Sequence, residues 1–568
     1  MHHLLTLALS AQIGAALPPD SIETLRSRAR SAEARFERLA RQLAPVSWSV
    51  SSGTDCDEIV GRFCLRFDSA TTAPAVEEPG RAVDARREAV EAVRRYFSAA
   101  PGELTAAGPL VRLLVIDGRA SEAVSSAGAF AALSADTLWG DLLLGYAFHW
   151  LGADTAAERH FIAALSRLSP EQQREWLDIT WLLDPAERGR VRGLSPEQRA
   201  DYERRFWLMA DPFWMTPANE RWTEHLSRGV ETRLLAQVPL VAGMTRWGRD
   251  LDQLTMRYGT PKSRARIGGR TPLRAGMIEY WDTVSRAFDP GLLAAVFTDP
   301  PAPGTRPALY AAAARSSYAL QIVERVIEPE HQVSRFLRRD SVILRVDAAV
   351  PMPSTVESRP AVALLAFDSA FTRRASTSAR ARTDGDTARF SLLLAVPDGR
   401  VVYSVELLAD STLGARARYA LDTRMPDTGP VVSDVLITRP FAAGALPDRF
   451  DDPRLRPRVS LVVSPGDTLG VYAEVYRLSG APLALELSLE RSGGPSLLRR
   501  FGRWLGLLDA GDAARVGWRS EEGGDAQTIA LNLPLDTERT GMHDLVLRVT
   551  DVSTGQRSES RRQILIRR

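Results

Sequence analysis

The feature that most constrains this chain is a self-similarity at a fixed offset. Leu110, Val111, Leu114, Gly118, Ala123, Ala127 and Phe130 recur 34 residues later as Leu144, Gly145, Phe148, Gly152, Ala157, Phe161 and Ala164. Within each copy the spacings are mostly three and four residues, the period of one helix face, and a glycine separates two such runs. The pattern predicts two helices per copy, with small residues where they cross and aromatic residues in the groove beside them. Such a unit cannot bury its apolar face alone, so about three stacked copies are expected to form one curved layer. Ala89, Val93 and Tyr96, with Pro101 behind them, extend the array one copy upstream.

The second copy, Leu144-Gly145, Phe148, Ala157, Phe161, Ala164 and nearby Pro170, resembles the tetratricopeptide repeat. The resemblance implies a helical array over 81–200 and a concave surface for a protein partner; packing support for the neighbouring domain is the competing role. Trp139, Trp150, Trp176 and Trp181 are expected as filler between helices, with a sugar-binding aromatic strip as the alternative. Upstream, Ile22, Leu25, Ala29, Ala32, Phe36, Leu39 and Leu43 mark a further amphipathic helix, which Asp20 and Glu23 are placed to cap. Together with the cysteines it forms the segment 17–80.

Residues 1–16 read as a secretory signal: an apolar stretch from Leu4 runs into small residues at Gly14 and Ala16, although no Lys or Arg precedes it. The expected location is exported, periplasmic or associated with the outer envelope. No other run approaches the ~20 apolar residues of a membrane span. Cys56 and Cys64 are the only cysteines. On a helix they would stand about 12 Å apart, too far to bond. A disulfide therefore requires a chain reversal, which Val60-Gly61 can supply; two buried thiols are the alternative. No metal or cofactor is expected, since the cysteines and histidines lack ligand spacing and no phosphate loop, dinucleotide fingerprint or nucleophile elbow occurs. The 72 basic residues, of which Lys262 is the single lysine, nearly balance 70 acidic ones, which argues against a nucleic-acid binder.

The central stretch holds Arg205-Phe206-Trp207 and Asp211-Pro212, then Asn219-Glu220 and Arg228. Thr245-Arg246-Trp247-Gly248-Arg249-Asp250, Tyr258-Gly259-Thr260-Pro261 and Glu279-Tyr280-Trp281 follow. This succession resembles the GWxTD domain of bacterial proteins whose function is not established, over about residues 201–300. Arg246 stands where its namesake glycine belongs and Arg249 where its threonine belongs. The resemblance implies an α/β module with Trp207, Pro212, Asn219, Trp247, Tyr258, Gly259 and Pro261 as its motif; it implies no catalytic residue. Read as residues, Gly259 suits a turn and Pro261 holds Thr260 extended. Asp211, Glu220 and Asp250 with Arg228 and Arg257 are a candidate polar cluster: a buried ion network, or the carboxylates of a cleft.

Residues 290–308 read as a linker, with a short helical passage over 311–327. From about 341 the period becomes two, as in Val342, Leu344 and Val346, or Leu545, Leu547 and Val549. Pro397-Asp398-Gly399-Arg400 reads as a hairpin turn, and 497–508 as a loop helix. Two antiparallel β-sandwiches are expected at 341–440 and 456–568, joined by a linker at 447–457. The fold class is thus multidomain α + β. The expected function is a non-enzymatic exported scaffold of the bacterial cell envelope that meets a protein partner through its helical repeats. The alternatives are an envelope-polymer hydrolase using the central carboxylates and a glycan-binding protein using the tryptophans.

Overall fold

A computed structural model describes residues 19–42, 58–61, 63–65, 80–183, 185–242, 246–259, 263–266, 278–281, 320–339, 341–353, 359–368, 370–442, 444, 446–478, 482–492, 500–503, 516–519, 526–535 and 540–568. The fold is α + β, with helices first and mostly antiparallel sheets after them. It divides into two compact units, the first holding the described residues up to 199 and from 218 to 281, the second 200–217 and the residues from 320 onward. No helix among the described residues is long and apolar enough to cross a membrane. The expected signal segment, residues 1–16, lies outside the described residues.

The first unit is built on the 34-residue offset. Helices α1 (Pro19–Gln42), α2 (Gly80–Ala99), α3 (Leu104–Ile116), α4 (Ala120–Leu133), α5 (Thr137–Trp150) and α6 (Asp154–Leu165) each pack on the next. The α3–α4 pair is the upstream copy and α5–α6 the downstream one. Gly118 and Gly152 hold equivalent interhelical turns at φ 74° and 75°, where a side chain would be strained. Ala123, Ala127, Phe130, Ala157, Phe161 and Ala164 are fully buried in one core. A Cβ on Gly145 would lie 2.7 Å from two ring carbons of Phe161, so the ring occupies the volume the glycine leaves. In the upstream copy Val111 and Ala127 hold those two places, with the large and small partners exchanged. Ala89, Val93 and Tyr96 of α2 are buried as a further copy requires, and α1 supplies the companion helix. Glu23 of α1 pairs with Arg26 at 2.8 Å. Of the tryptophans expected as filler, Trp176 is buried and Trp139 half-buried, but Trp150 is exposed.

After the array come α7 (Pro170–Trp176), α8 (Pro185–Arg192), α9 (Pro196–Ala210), α10 (Glu220–Ala236) and α11 (Arg249–Tyr258). Strands β1 (Glu58–Val60), β2 (Phe63–Leu65), β3 (Ser263–Arg266) and β4 (Ile278–Trp281) form a sheet of order β1-β2-β4-β3. The reversal expected between the cysteines falls at Gly61, and Cys64 stands opposite Ile59. Cys56 and the Cys64 side chain lie outside the described residues. The stretch expected as a central module is shared out: 200–217 belongs to the second unit and 218–281 to the first.

The second unit has two double-sheet cores. The first uses β5 (Arg325–Ile327), β6 (Glu330–Arg338), β7 (Ser341–Pro351), β8 (Ala361–Asp368), β9 (Arg373–Arg380), β10 (Arg382–Asp384), β11 (Thr387–Val396), β12 (Arg400–Leu408) and β13 (Leu413–Asp422), in sheets β10-β11-β7-β6 and β5-β13-β12-β8-β9. Val342, Leu344 and Val346 of one sheet and Tyr403, Val405 and Leu407 of the other share that core. The expected boundary at 341 is late, because β6 pairs along all of its length with β7. Residues 325–327 are a strand and not the end of a helix. Pro397–Arg400 makes a turn but no hairpin: β11 pairs with β7, β12 pairs with β8 and β13, and the turn carries the chain between sheets.

The second core uses β14 (Val431–Val432), β15 (Leu436–Thr438), β16 (Val462–Val463), β17 (Thr468–Tyr476), β18 (Leu483–Arg491), β19 (Arg500–Arg503), β20 (Val516–Arg519), β21 (Ala526–Pro534), β22 (Gly541–Asp551) and β23 (Arg557–Ile566). Its sheets are β14-β17-β21-β20, with β15 also on β17, and β16-β23-β22-β18-β19. The boundary expected at 456 moves upstream, since β14 and β15 pair with β17. The expected linker is a packed segment whose Phe450 and Leu455 are buried with Phe336 and Tyr472. Residues 500–503 form a strand where a loop helix is expected.

Candidate functional site

Helix α10 carries Glu220, Arg221, Glu224, Arg228 and Glu231 along one side, a charged stripe of the kind that ordinarily faces solvent. Here it is nearly all buried, against α3, α5, α6 and α11. Asn219 opens it, its side-chain oxygen accepting the Trp222 N–H at 2.9 Å, as an N-cap requires. Glu220 follows, buried in the first turn. The buried charges hold one another. The Arg228 Nε donates to Glu224 at 2.5 Å, and the other Glu224 oxygen meets the His149 Nε2 at 2.5 Å. The His149 Nδ1 faces the Thr223 hydroxyl at 3.0 Å and Asp154 at 3.4 Å. Burial pulls the His149 pKa down, but the hydrogen bonds and charges of Asp154 and Glu224 outweigh it and raise it to about 9. Burial pushes Glu224 up, yet Arg228 and His149 hold it well below the usual carboxylate range. His225 is the opposite case: burial and the Arg221 charge press it down to about 3, and its Nε2 meets the Trp176 carbonyl. Buried Arg112 of α3 binds Glu33 at 3.0 Å and Glu37 at 2.7 Å, ties α1 to the layer and also feels the Glu231 charge of α10.

Arg228 also reaches α11, donating to the Met256 carbonyl at 3.3 Å. Gly259 ends α11 at φ 76°, and a Cβ there would sit 3.3 Å from the Arg228 guanidinium. The structure thus brings Arg228 and Gly259 together, as a turn resting on a buried arginine. Arg257 is buried and donates to the Tyr258 hydroxyl at 2.6 Å. The Trp247 indole donates to Asp252 at 2.7 Å. Pro261 lies outside the described residues.

Asp211, Trp207 and Pro212 belong to the second unit, where 206–215 lies on the outer face of the β8–β12–β13 sheet. Glu406 of β12 accepts the backbone N–H groups of Trp214 and Met215 at 3.0 and 2.8 Å. The Arg418 guanidinium stacks 3.6 Å from the Trp214 ring centre and donates to the Asp211 carbonyl, to which Arg416 also donates. The Asp211 carboxylate accepts the Phe213 N–H at 3.2 Å; burial pushes its pKa well up against the pull of Arg418. Trp207 packs edge-to-face on Phe206. Segment 206–215 is a strap whose Met209 and Trp214 seal a sheet face together with Leu365 and Phe367.

Of the expected carboxylates, Asp250 faces an opening. The first unit carries a cleft of about 600 Å³ beside the start of α11, which supplies Arg249, Asp250 and Gln253 to its lining. Arg188 and Arg192 come from α8, Arg199 from the start of α9, and Asp178, Thr180 and Trp181 from the turns after α7. The Asp250 Oδ1 accepts the Leu251 N–H at 2.9 Å, so α11's first turn orients it. Gly61 closes one wall; at φ 54°, its Cβ would meet that of Asp250 at 2.5 Å, so the turn fits there only as glycine. Val60 anchors this turn on Leu251 and Leu254. Asp178 is fixed by the Thr180 hydroxyl at 3.0 Å and by Arg199 at 3.1 Å. The arginines of α8 and α9 escape sequence reasoning because no local spacing joins them to Asp250. Among the described residues no group of three or more His, Cys, Asp and Glu is arranged to hold a metal ion. No family model matches the chain, and no curated protein matches it.

Proposed function

We propose that this chain is a non-enzymatic scaffold of the bacterial cell envelope, whose tetratricopeptide-like helix pairs bind a protein partner beside a divergent GWxTD-like stretch. Export rests on the apolar segment before residue 17. One observation carries the partner role. Leu133, Trp150, Leu151 and Ile162 are 64, 41, 43 and 55% exposed, although the array core beneath them is filled. Of the eight large apolar side chains exposed among the described residues, these four fall between 133 and 162. Scattered exposed apolar residues need no explanation, but half of those exposed among the described residues fall within this one short stretch of the array, which supports reading it as a contact region. Asp211 and Glu220 are built into a strap and a helix start, which speaks against the hydrolase reading.

The test is co-sedimentation of the full chain with envelope membranes from its source cell. Replacing Leu133→Glu and Ile162→Glu together should weaken association about tenfold or more with the melting temperature unchanged, because such contacts concentrate affinity. Unchanged sedimentation, or cleavage of envelope polymer that Asp250→Asn abolishes, would overturn the proposal.

A further inference from the structure

The cleft beside α11 has a chemistry that the scaffold role does not use, and we infer that it binds a phosphomonoester-type dianion carried on a small organic body. Four arginines and two aspartates line it, an excess of two positive charges. Arg192 and Arg249 form no ion pair among the described residues, and both are exposed. The Arg188 Nε is buried with no hydrogen-bond partner among the described residues, while its Nη2 is held by the Leu183 carbonyl at 3.1 Å. That bond fixes Arg188 in the wall of the cleft, and the planar guanidinium fork of an arginine is well matched to an oxyanion. Asp178 is occupied by Thr180 and by Arg199, which leaves Arg188, Arg192 and Arg249 to face the ligand. Trp181 adds an aromatic wall for the organic part. The volume, about 600 Å³, lies within the range of small-molecule sites.

The doubly charged ester is favoured over a singly charged anion because the excess of two charges is cancelled only by the former. Asp250, inside the same wall, sets an upper limit on affinity by repulsion. This site stands on the cleft alone and is independent of the partner surface on the array.

The experiment is calorimetric titration of the full chain with phenyl phosphate, with phenyl sulfate as the singly charged analogue. A second arm uses phosphatidylcholine vesicles with and without phosphatidic acid, which separates a soluble phosphoester from a lipid headgroup. Saturable binding is expected in at least one phosphate arm, and weaker binding of the sulfate by about tenfold. Arg192→Ala and Arg249→Ala should each weaken phosphate binding by about tenfold with unchanged circular dichroism. Asp250→Asn keeps the Leu251 N–H acceptor, removes the repulsion and should tighten binding severalfold. Absence of saturable binding in both arms, equal affinity for sulfate and phosphate, or affinity unmoved by all three substitutions would each overturn the assignment.

Discussion

At the scale of single residues, the two helix-pair copies solve one packing problem with opposite partners. Phe161 fills the space over Gly145, whereas Val111 and Ala127 divide that space in the upstream copy. Gly145→Val alone should therefore overpack the core and cost about 1–3 kcal/mol in urea unfolding. The double substitution Gly145→Val with Phe161→Ala should recover part of that loss, because it writes the upstream pair into the downstream copy; additive losses would count against the exchange. Arg112 makes a second residue-scale prediction. Arg112→Met leaves Glu33 and Glu37 buried without their cation and should destabilise by about 3–5 kcal/mol. Replacing all three by apolar residues should be far milder, as thermal unfolding would show. The repeat was legible because small and large residues at helical spacing report a crossing of near neighbours. Arg112 was not, since a cation on a helix looks solvent-facing until its two carboxylates arrive from more than seventy residues upstream.

Secondary-structure elements bring long-range partners into play. The pair of α5 and α10 should respond to pH through His149. Below its ordinary value of 6.5 the ring is protonated folded or unfolded, and its bond to Glu224 contributes in full. Between 6.5 and about 9 only the folded form keeps the proton, so stability falls by roughly 3 kcal/mol as pH rises through that window. His149→Gln should flatten this slope in denaturant titrations at pH 6 to 9; a slope unchanged by the substitution would refute the assignment. The strap 206–215 offers a parallel case. Glu406→Ala removes the acceptor for two backbone N–H groups and leaves Arg418 without its carboxylate. Hydrogen exchange at the Trp214 and Met215 amides should accelerate by at least tenfold, while amides of β17 stay protected. The allegiance of this strap was hidden in the sequence because Glu406, Arg416 and Arg418 lie about two hundred residues away. The apolar run Ala361–Asp368 held a partial signal: a strand without alternation is buried on both faces, and the strap covers the second one. The turn at 397–400 misled for a related reason, since turn chemistry reports a reversal and not which strands pair across it.

For the whole molecule, the alternation of period two predicted two strand-rich cores, and the 34-residue period predicted helices before them. Their borders moved where strand pairing overrode composition, as β6 and β14 show. The central stretch, expected as one module, does not form one body, because its two parts are claimed by different units. Within it Asp211, Glu220, Arg228 and Arg257 are buried among helices and a strap. The most direct measurement places a photo-crosslinking residue at 162 on the array, or at 552 on the β-rich unit, and illuminates each full chain in its source cell's envelope. The account predicts one discrete protein adduct from position 162, none from 552, and loss of that adduct when Leu133→Glu is added. Equal adducts from both positions, or an adduct at 162 indifferent to Leu133→Glu, would contradict it.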